Sequence, residues 1–137
     1  MPLEIERKFL VDGDAWRCDV RRRELYRQGY VAGSELCSVR VRAGSERGWL
    51  GLKSRVSGAT RLEYEYEIPL AEAIEILERL CARGRIEKWR HWIPYQGHEW
   101  EVDEFLGENA GLVVAEIELD SESECFERPA WLGSEVT

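Results

Sequence analysis

Polar and apolar residues alternate along most of this chain with a period of two, which is the spacing of a β-strand with two different faces. At the start, Glu4, Glu6 and Lys8 share one face, whereas Leu3 and Ile5 share the other. Similar segments follow, separated by turn residues. The pattern predicts strands at residues 3–11, 25–31, 38–42, 49–55, 63–68, 85–93, 98–104 and 112–119.

One segment has the period of an α-helix. Pro69 is suited to the first turn, and Gly84 is suited to a left-handed C-terminal cap. The apolar positions between them are Ala73, Ile74, Leu77, Leu80 and Cys81. We expect the apolar face of this helix to cover strand residues such as Leu62, Tyr64 and Tyr66.

Shorter helical segments are expected at two other places. Asp14 is placed to cap a helical turn at residues 15–17, and Ser121 with Glu124 resembles a capping box. Residues 129–133 are expected to be irregular.

The eight predicted strands are joined mostly by short connections, which favour antiparallel neighbours. Eight strands can close into a barrel with a narrow interior. We therefore expect an α+β fold, in which a mainly antiparallel, eight-stranded closed β-barrel forms a tunnel with one main outer helix and short helical segments. The alternative is an open sheet with one wet, charged face.

The charged faces of these strands are sorted by sign. The basic rows contain Arg40, Arg42, Lys53, Arg55, Lys88 and Arg90. The acidic rows contain Glu63, Glu65, Glu101, Asp103, Glu116 and Glu118. If the sheet closes, these rows converge, and burying so many charges is costly without ligands.

Two kinds of ligand would supply the missing partners. Carboxylates suit hard divalent cations such as Mg²⁺ or Mn²⁺, and arginine and lysine suit phosphate. A linear triphosphate can contact several cationic side chains while it still exposes oxygens to a metal. The pattern therefore favours a metal–polyphosphate site.

Composition narrows the function classes. The 137 residues are 44% hydrophobic and 34% charged, with a formal net charge of −8. This balance argues against a nucleic-acid partner, which requires a broad basic surface, but it permits a local anion-binding pocket. The length is typical of one domain.

The remaining sequence features are consistent with the cytoplasm. Cys18, Cys37, Cys81 and Cys125 lack metal-ligand spacing, and we expect reduced thiols. No run of 18 apolar residues occurs, so no membrane partner is expected. A homodimer formed through the Trp-rich outer surface stays open.

The sequence Glu4-Ile5-Glu6-Arg7-Lys8 resembles the E-x-E-x-K signature of the CYTH superfamily, also called the triphosphate tunnel metalloenzymes. The resemblance covers essentially the whole chain. It continues in the family's order through Arg27-Gln28-Gly29-Tyr30, Val39-Arg40-Val41-Arg42, Leu52-Lys53, Glu63-Tyr64-Glu65, Glu87-Lys88-Trp89-Arg90, Glu101-Val102-Asp103 and Glu116-Ile117-Glu118. It implies an eight-stranded antiparallel tunnel and metal-dependent chemistry on triphosphates.

The resemblance also implies roles for individual residues. The positions that resemble metal ligands are Glu4, Glu6, Glu116 and Glu118, with Glu63, Glu65 and Asp103 as supporting or second-metal carboxylates. The positions that resemble the triphosphate cradle are Lys8, Arg40, Arg42, Lys53, Lys88 and Arg90. Arg55 joins this cradle because it shares the face of Lys53.

Catalytic roles are expected for Lys8 and Tyr30. Tyr30 would assist proton transfer if Lys8 lowers its pKa, and the alternative is that Tyr30 is a packed strand aromatic.

The expected reaction is hydrolysis of inorganic tripolyphosphate to pyrophosphate and phosphate with Mg²⁺ or Mn²⁺, as the resemblance to short bacterial members implies. ATP and thiamine triphosphate are further candidate substrates. Two other functions stay open: a class IV-type adenylate cyclase, and a non-catalytic module that binds polyphosphate or nucleotides.

Residues 1–137 are expected to form a single domain of this kind. Short bacterial members usually continue into another helix after a segment like the one from Trp131 to Thr137. We expect that C-terminal helix to be missing from this domain.

Overall fold

The computed structural model describes residues 3–54, 58–81 and 84–137. Their dominant element is one antiparallel sheet, with a single α-helix and two short 3-10 helices. The strands are β1 Leu3–Val11, β2 Arg22–Gly33, β3 Cys37–Ala43, β4 Gly48–Ser54, β5 Thr60–Ile68, β6 Ile86–Tyr95, β7 His98–Phe105, β8 Val113–Leu119 and β9 Leu132–Glu135. The helix is α1 Leu70–Leu80, and the 3-10 helices are Ala15–Asp19 and Gly107–Asn109.

The sheet closes on itself at β1. Its strand order is β5-β4-β3-β2-β6-β7-β8-β1-β9, and β5 also pairs with β1. One edge of β1 pairs with β8, and the other edge is shared by two strands. Leu3 to Ile5 pair with β5, whereas Phe9 and Val11 pair with β9. The expected eight-stranded antiparallel ring is confirmed, and β9 extends it.

The β6–β7 connection is a tight hairpin within the ring. The β6–β7 hairpin turns through Gln96 and Gly97, which both have positive φ, at 47° and 81°. Two central residues with positive φ match the right-handed twist of the flanking strands. Tyr95 and His98 therefore pair directly on either side of the turn.

Two apolar clusters cover the outside of the ring. The larger one combines aromatic and aliphatic residues, and Trp16, Trp100 and Phe9 in it are fully buried. The other lies beneath α1, where Ala73, Leu77 and Cys81 pack against Val41 and Ala43. Because the apolar faces pack outward, the polar faces of the same strands point into the ring.

The helix covers a different part of the sheet from the one expected. It packs against β2, β3 and β4. Tyr64 and Tyr66 on β5 are 40% and 57% exposed. The reason is topological: α1 follows β5 directly through Pro69 and turns back across the neighbouring strands.

Three local expectations were wrong. Residues 121–124 form a turn in place of a helix, and Leu132 and Gly133, which were expected to be irregular, begin strand β9. A 3-10 helix does begin at Ala15, but Asp14 makes no side-chain cap. Its carboxylate contacts Arg17 at 3.3 Å instead. β9 forms because β1 offers an unpaired edge, which the local sequence cannot show.

Two expectations from composition can be compared with the described residues. No helix among them is long and apolar enough to cross a membrane. Cys18, Cys37, Cys81 and Cys125 are all free thiols.

Candidate functional site

The inward faces of the strands enclose a cavity of about 430 Å³. All eight strands of the ring contribute to it, and its lining is mostly charged. The lining residues are Glu4, Glu6, Lys8, Tyr26, Gln28, Tyr30, Arg40, Arg42, Trp49, Lys53, Glu63, Glu65, Ile86, Lys88, Arg90, Glu101, Phe105, Glu116 and Glu118.

The structure brings together nearly all the residues singled out from the sequence. Of the described residues in that set, only Asp103 is absent from the lining. Asp103 lies behind the lining at 1% exposure. Arg55 falls outside the described residues.

Lys53 links two carboxylates at one end of the cavity, which we call the acidic end and define by Glu4, Glu63 and Lys53. The Lys53 ammonium lies 3.2 Å from Glu4 and 3.1 Å from Glu63. Burial raises the pKa of Glu4, and its hydrogen bond with Glu63 adds to the rise. Burial opposes the charge on Lys53, but its acidic neighbours, Glu4 foremost, outweigh burial and raise its pKa.

Glu6 and Glu116 form a second carboxylate pair, and Lys8 bridges them. The Lys8 ammonium lies 3.6 Å from Glu6 and 3.8 Å from Glu116. Burial and the charge of Glu116 raise the pKa of Glu6 to about 8. The pair therefore retains a proton near neutral pH. Without that proton the two buried carboxylates would repel each other, so the site favours an additional positive charge.

Further acids adjoin this pair. Burial raises the pKa of Glu118, whose strand position is opposite Glu6. Burial also raises the pKa of Glu101, whose strand position is opposite Glu116. Glu65 lies farther along β5, 3.9 Å from the Arg40 guanidinium.

Asp103 holds two of the cations in place. Its carboxylate accepts hydrogen bonds from Lys88 Nζ at 2.7 Å and from Arg90 Nε and Nη2 at 2.8 and 2.9 Å. These bonds lower the pKa of Asp103 despite its burial. Asp103 was predicted as a supporting or second-metal carboxylate, but its oxygens are occupied by cations.

The same network affects the pKa values of Lys88 and Arg90. Burial lowers the pKa of Lys88 to about 8, although Asp103 opposes the shift. Arg90 is also buried, but its bonds to Asp103 raise its pKa well above the usual value. Arg90 reaches a second carboxylate, Glu101, at 2.9 Å.

Arg42 is a buried cation with no carboxylate within ion-pair distance among the described residues. Its Nε donates to Gln28 Oε1 at 3.1 Å, and its guanidinium lies 4.7 Å from the centre of the Tyr26 ring. Burial lowers the pKa of Arg42 to about 10. It is therefore a desolvated positive charge that faces the cavity and lacks a counterion.

Tyr30 lines the cavity with its side chain half exposed. Its strand position is opposite Arg40, whereas the ion pairs of Lys8 are made with Glu6 and Glu116. A role for Tyr30 in proton transfer stays a prediction.

Several lining residues were missed by the sequence reasoning, namely Tyr26, Gln28, Trp49, Ile86 and Phe105, whereas Glu101 was placed in an acidic row without a specific role. A signal existed for some of them. Strand β2 begins at Arg22, so the alternation that orients Tyr30 inward also orients Gln28 and Tyr26 inward. Likewise, Trp49 shares a face of β4 with Lys53.

The donor set fits a hard divalent cation. Glu4 faces Glu63 and Glu6 faces Glu116, so each pair offers carboxylate oxygens and has a single lysine between its two acids. No cluster of three or more His, Cys, Asp or Glu residues suited to a metal is preassembled among the described residues. The pairs therefore suit a cation that arrives with other oxygen ligands, such as phosphate or water.

The amino-acid sequence is similar to a known domain family and to a relative with a named activity. The family model of the CYTH domain matches residues 2–137. An inorganic triphosphatase of Acetivibrio thermocellus is 53% identical over 137 residues, which are 100% of this chain and 87% of that protein.

Solved structures show the same fold. The inorganic triphosphatase NE1496 is 33% identical with a TM-score of 0.68, and the match covers 98% of this chain and 89% of that one. The protein HpAC1 from Hippeastrum is 17% identical with a TM-score of 0.64, covering 86% of this chain and 80% of that one. This second likeness shows the fold alone.

Proposed function

The chain belongs to the CYTH domain family, and we propose that its tunnel hydrolyses inorganic tripolyphosphate to pyrophosphate and phosphate with a divalent cation. The relative that is 53% identical is named an inorganic triphosphatase, which supports this reaction. The structural observation that carries the proposal is the convergence of buried acids and buried cations on one cavity of about 430 Å³.

The buried cations have the arrangement that a triphosphate requires. Arg42 lacks a counterion among the described residues, and Lys88 and Arg90 are held against Asp103 while they line the same cavity. A polyanion would replace the solvation that these groups lost on burial. We propose that these three cations hold the two phosphates that leave as pyrophosphate.

Carboxylates at the acidic end and in the neighbouring Glu6–Glu116 pair are placed to hold the cation. We propose Glu4, Glu6, Glu116 and Glu118 as its ligands, with Glu63 and Glu65 in support, and Mg²⁺ or Mn²⁺ as the ion. When bound, such an ion neutralises phosphate oxygens and makes nearby water more acidic. The terminal phosphate would then lie toward this end.

The chain's own residues provide positioning and charge stabilisation, which phosphoryl transfer mainly requires. Water attacks the terminal phosphorus and gives up a proton to solvent, the bridging P–O bond breaks, and negative charge accumulates on pyrophosphate. Arg42, Lys88 and Arg90 stabilise that charge as it develops. Lys8 is proposed to neutralise the terminal phosphate, and Tyr30 to donate a hydrogen bond to it.

Phosphate release distinguishes this function from the alternatives. Tripolyphosphate, ATP and thiamine triphosphate would each be assayed with Mg²⁺ and with Mn²⁺. We expect phosphate and pyrophosphate from tripolyphosphate, with little turnover after chelation of the metal. Cyclic AMP formed from ATP would favour a cyclase, and tight binding of tripolyphosphate without turnover would favour a binding module; either result would overturn the proposal.

A further inference from the structure

Tyr26 and Trp49 separate the main cavity from a second one. The second cavity measures about 350 Å³, and we call it the outer cavity. Among the described residues that line the two cavities, only Tyr26 and Trp49 line both. Their rings meet edge to face, with centroids 5.9 Å apart and planes at 71°. We call this pair the aromatic wall.

The outer cavity continues the tunnel beyond the aromatic wall. On β2, the residues that alternate inward run from Tyr26 to Glu24 and Arg22, and both of these line the outer cavity. The other side of the outer cavity is formed by the turn between β3 and β4, residues 45–47. The two cavities are therefore successive compartments along the same strands.

The aromatic wall lies far from the acidic end and close to the cations. Trp49 and Lys53 share a face of β4 and are four positions apart, or about 14 Å along the strand. Arg42 pairs directly with Trp49 across the strands. The Arg42 and Arg90 guanidinium carbons lie 4.7 and 5.4 Å from the Tyr26 ring centre.

Packing holds the wall closed. Tyr26 is only 6% exposed, and Trp92 meets its ring nearly at a right angle, with centroids 6.2 Å apart. The two cations over Tyr26 add cation–π attraction. A wall supported in this way will not yield readily to a bulky substrate.

We propose that the aromatic wall limits the leaving group to pyrophosphate and so sets the substrate length at three phosphates. This inference rests on the proposed function, in which the leaving group occupies the cationic end, defined by Arg42, Lys88 and Arg90. A pyrophosphate ends at Tyr26 and Trp49. A longer leaving group, such as the triphosphate released from tetrapolyphosphate or a nucleoside diphosphate, needs the space of the outer cavity.

The charges of the outer cavity indicate how the wall acts. Arg22 and Arg47 in its lining are balanced by Glu24 and Glu46. The Glu24 carboxylate also accepts a hydrogen bond from the Ser45 backbone N–H at 3.0 Å. The outer cavity therefore offers space but no net positive charge. Opening the wall should admit longer polyphosphates without creating a strong new anion-binding site.

The test is to open the wall with Trp49→Ala and to compare substrates of different length. We expect the ratio of kcat/KM for tetrapolyphosphate to kcat/KM for tripolyphosphate to rise about tenfold, the scale of discrimination that a modest steric change produces. Trp89→Ala is the matched control, because it truncates a tryptophan that lies outside both cavity linings and packs against Arg23. This control should leave the ratio unchanged.

Calorimetry without metal makes the test independent of turnover. The ratio of the dissociation constants for tetrapolyphosphate and tripolyphosphate should shift in the same direction in Trp49→Ala, and Trp49→Leu repeats the measurement if the alanine variant does not fold. An unchanged length preference in a folded variant would overturn the proposal that the wall sets the substrate length. If the wild-type protein binds tripolyphosphate without hydrolysing it, the proposed function fails, and the binding ratio still decides the role of the wall.

Discussion

Arg90 and Asp103 form a two-point ion pair inside the sheet, in which Arg90 Nε and Nη2 donate to the two Asp103 oxygens at 2.8 and 2.9 Å. Both side chains are buried, and Lys88 completes the group with a 2.7 Å bond to the same carboxylate. This arrangement makes Asp103 the residue that orients the cationic end of the tunnel.

Replacing Asp103 by Asn should reduce stability and weaken binding of tripolyphosphate together. The change removes the carboxylate charge that two buried cations share, and breaking a buried pair from one side costs about 3–5 kcal/mol. The free energy of unfolding from urea titration and KM for tripolyphosphate measure the two effects. Glu101→Gln is the control, since Glu101 is half-buried and makes one short contact with Arg90. Equal losses in both variants would contradict the role given to Asp103.

Glu6→Gln should stabilise the metal-free protein, and more so as the pH rises. The folded pKa of Glu6 is about 8, against an ordinary value of 4.5. Between these values the folded state binds more protons than the unfolded state, so wild-type stability falls with rising pH by at most about 1.4 kcal/mol per unit. The glutamine removes this loss.

Thermal unfolding in a chelator at pH 5, 6.5 and 8 checks this prediction. The Tm advantage of Glu6→Gln over the wild type should grow across that series. Glu72→Gln, on the exposed side of α1, should show no such growth. A constant difference at every pH would mean that Glu6 ionises normally in the folded protein.

Glu4→Ala should abolish metal-dependent turnover while the fold is retained. We propose Glu4 as a metal ligand, and the loss of one preorganised electrostatic group at a reacting centre typically costs about 100-fold or more in kcat. Phosphate release with Mg²⁺ and Mn²⁺ measures the loss, and circular dichroism verifies the fold. Phosphate release at the wild-type rate would show that Glu4 is not a required metal ligand.

Arg40→Ala should mainly raise KM for tripolyphosphate. The Arg40 side chain lines the cavity, and its ion pair with Glu65, at 3.9 Å, is long. A charged hydrogen bond to phosphate is worth about 1.5–3 kcal/mol, so KM should rise by roughly 10- to 150-fold. Arg21→Ala removes an exposed arginine elsewhere and serves as the control. A fall in kcat at unchanged KM would place Arg40 in the chemical step.

Gly48→Ala should destabilise the contact between α1 and the sheet. A Cβ at Gly48 would lie 2.5 Å from the Ala73 Cβ, and overpacking of this kind costs about 1–3 kcal/mol. Ala73→Gly in the same chain should recover part of the loss, because two carbonyl oxygens still lie within 3.4 Å of the new Cβ. Urea unfolding of both single variants and the double variant measures the coupling, and strictly additive effects would argue against this contact.

The inward rows of the tunnel follow from the sequence by itself. Residues such as Glu4, Glu6 and Lys8 alternate with apolar neighbours, and alternation is a local property that assigns each side chain to a face. Once the apolar faces pack outward, the charged faces have only the interior left. The eight strands of the ring, the place of the helix along the sequence and most cavity-lining charges could therefore be predicted.

The partners of those charges were decided only by the tertiary structure. Asp103 binds Lys88 and Arg90 because the β6–β7 register sets Arg90 opposite Asp103, and Tyr26 meets Trp49 because β2 and β4 flank the same strand, β3. Strand β9 likewise depends on the edge that β1 leaves free beyond β5. Register and ring closure are long-range relationships, and a period of two along one strand carries no information about which residue lies across the tunnel.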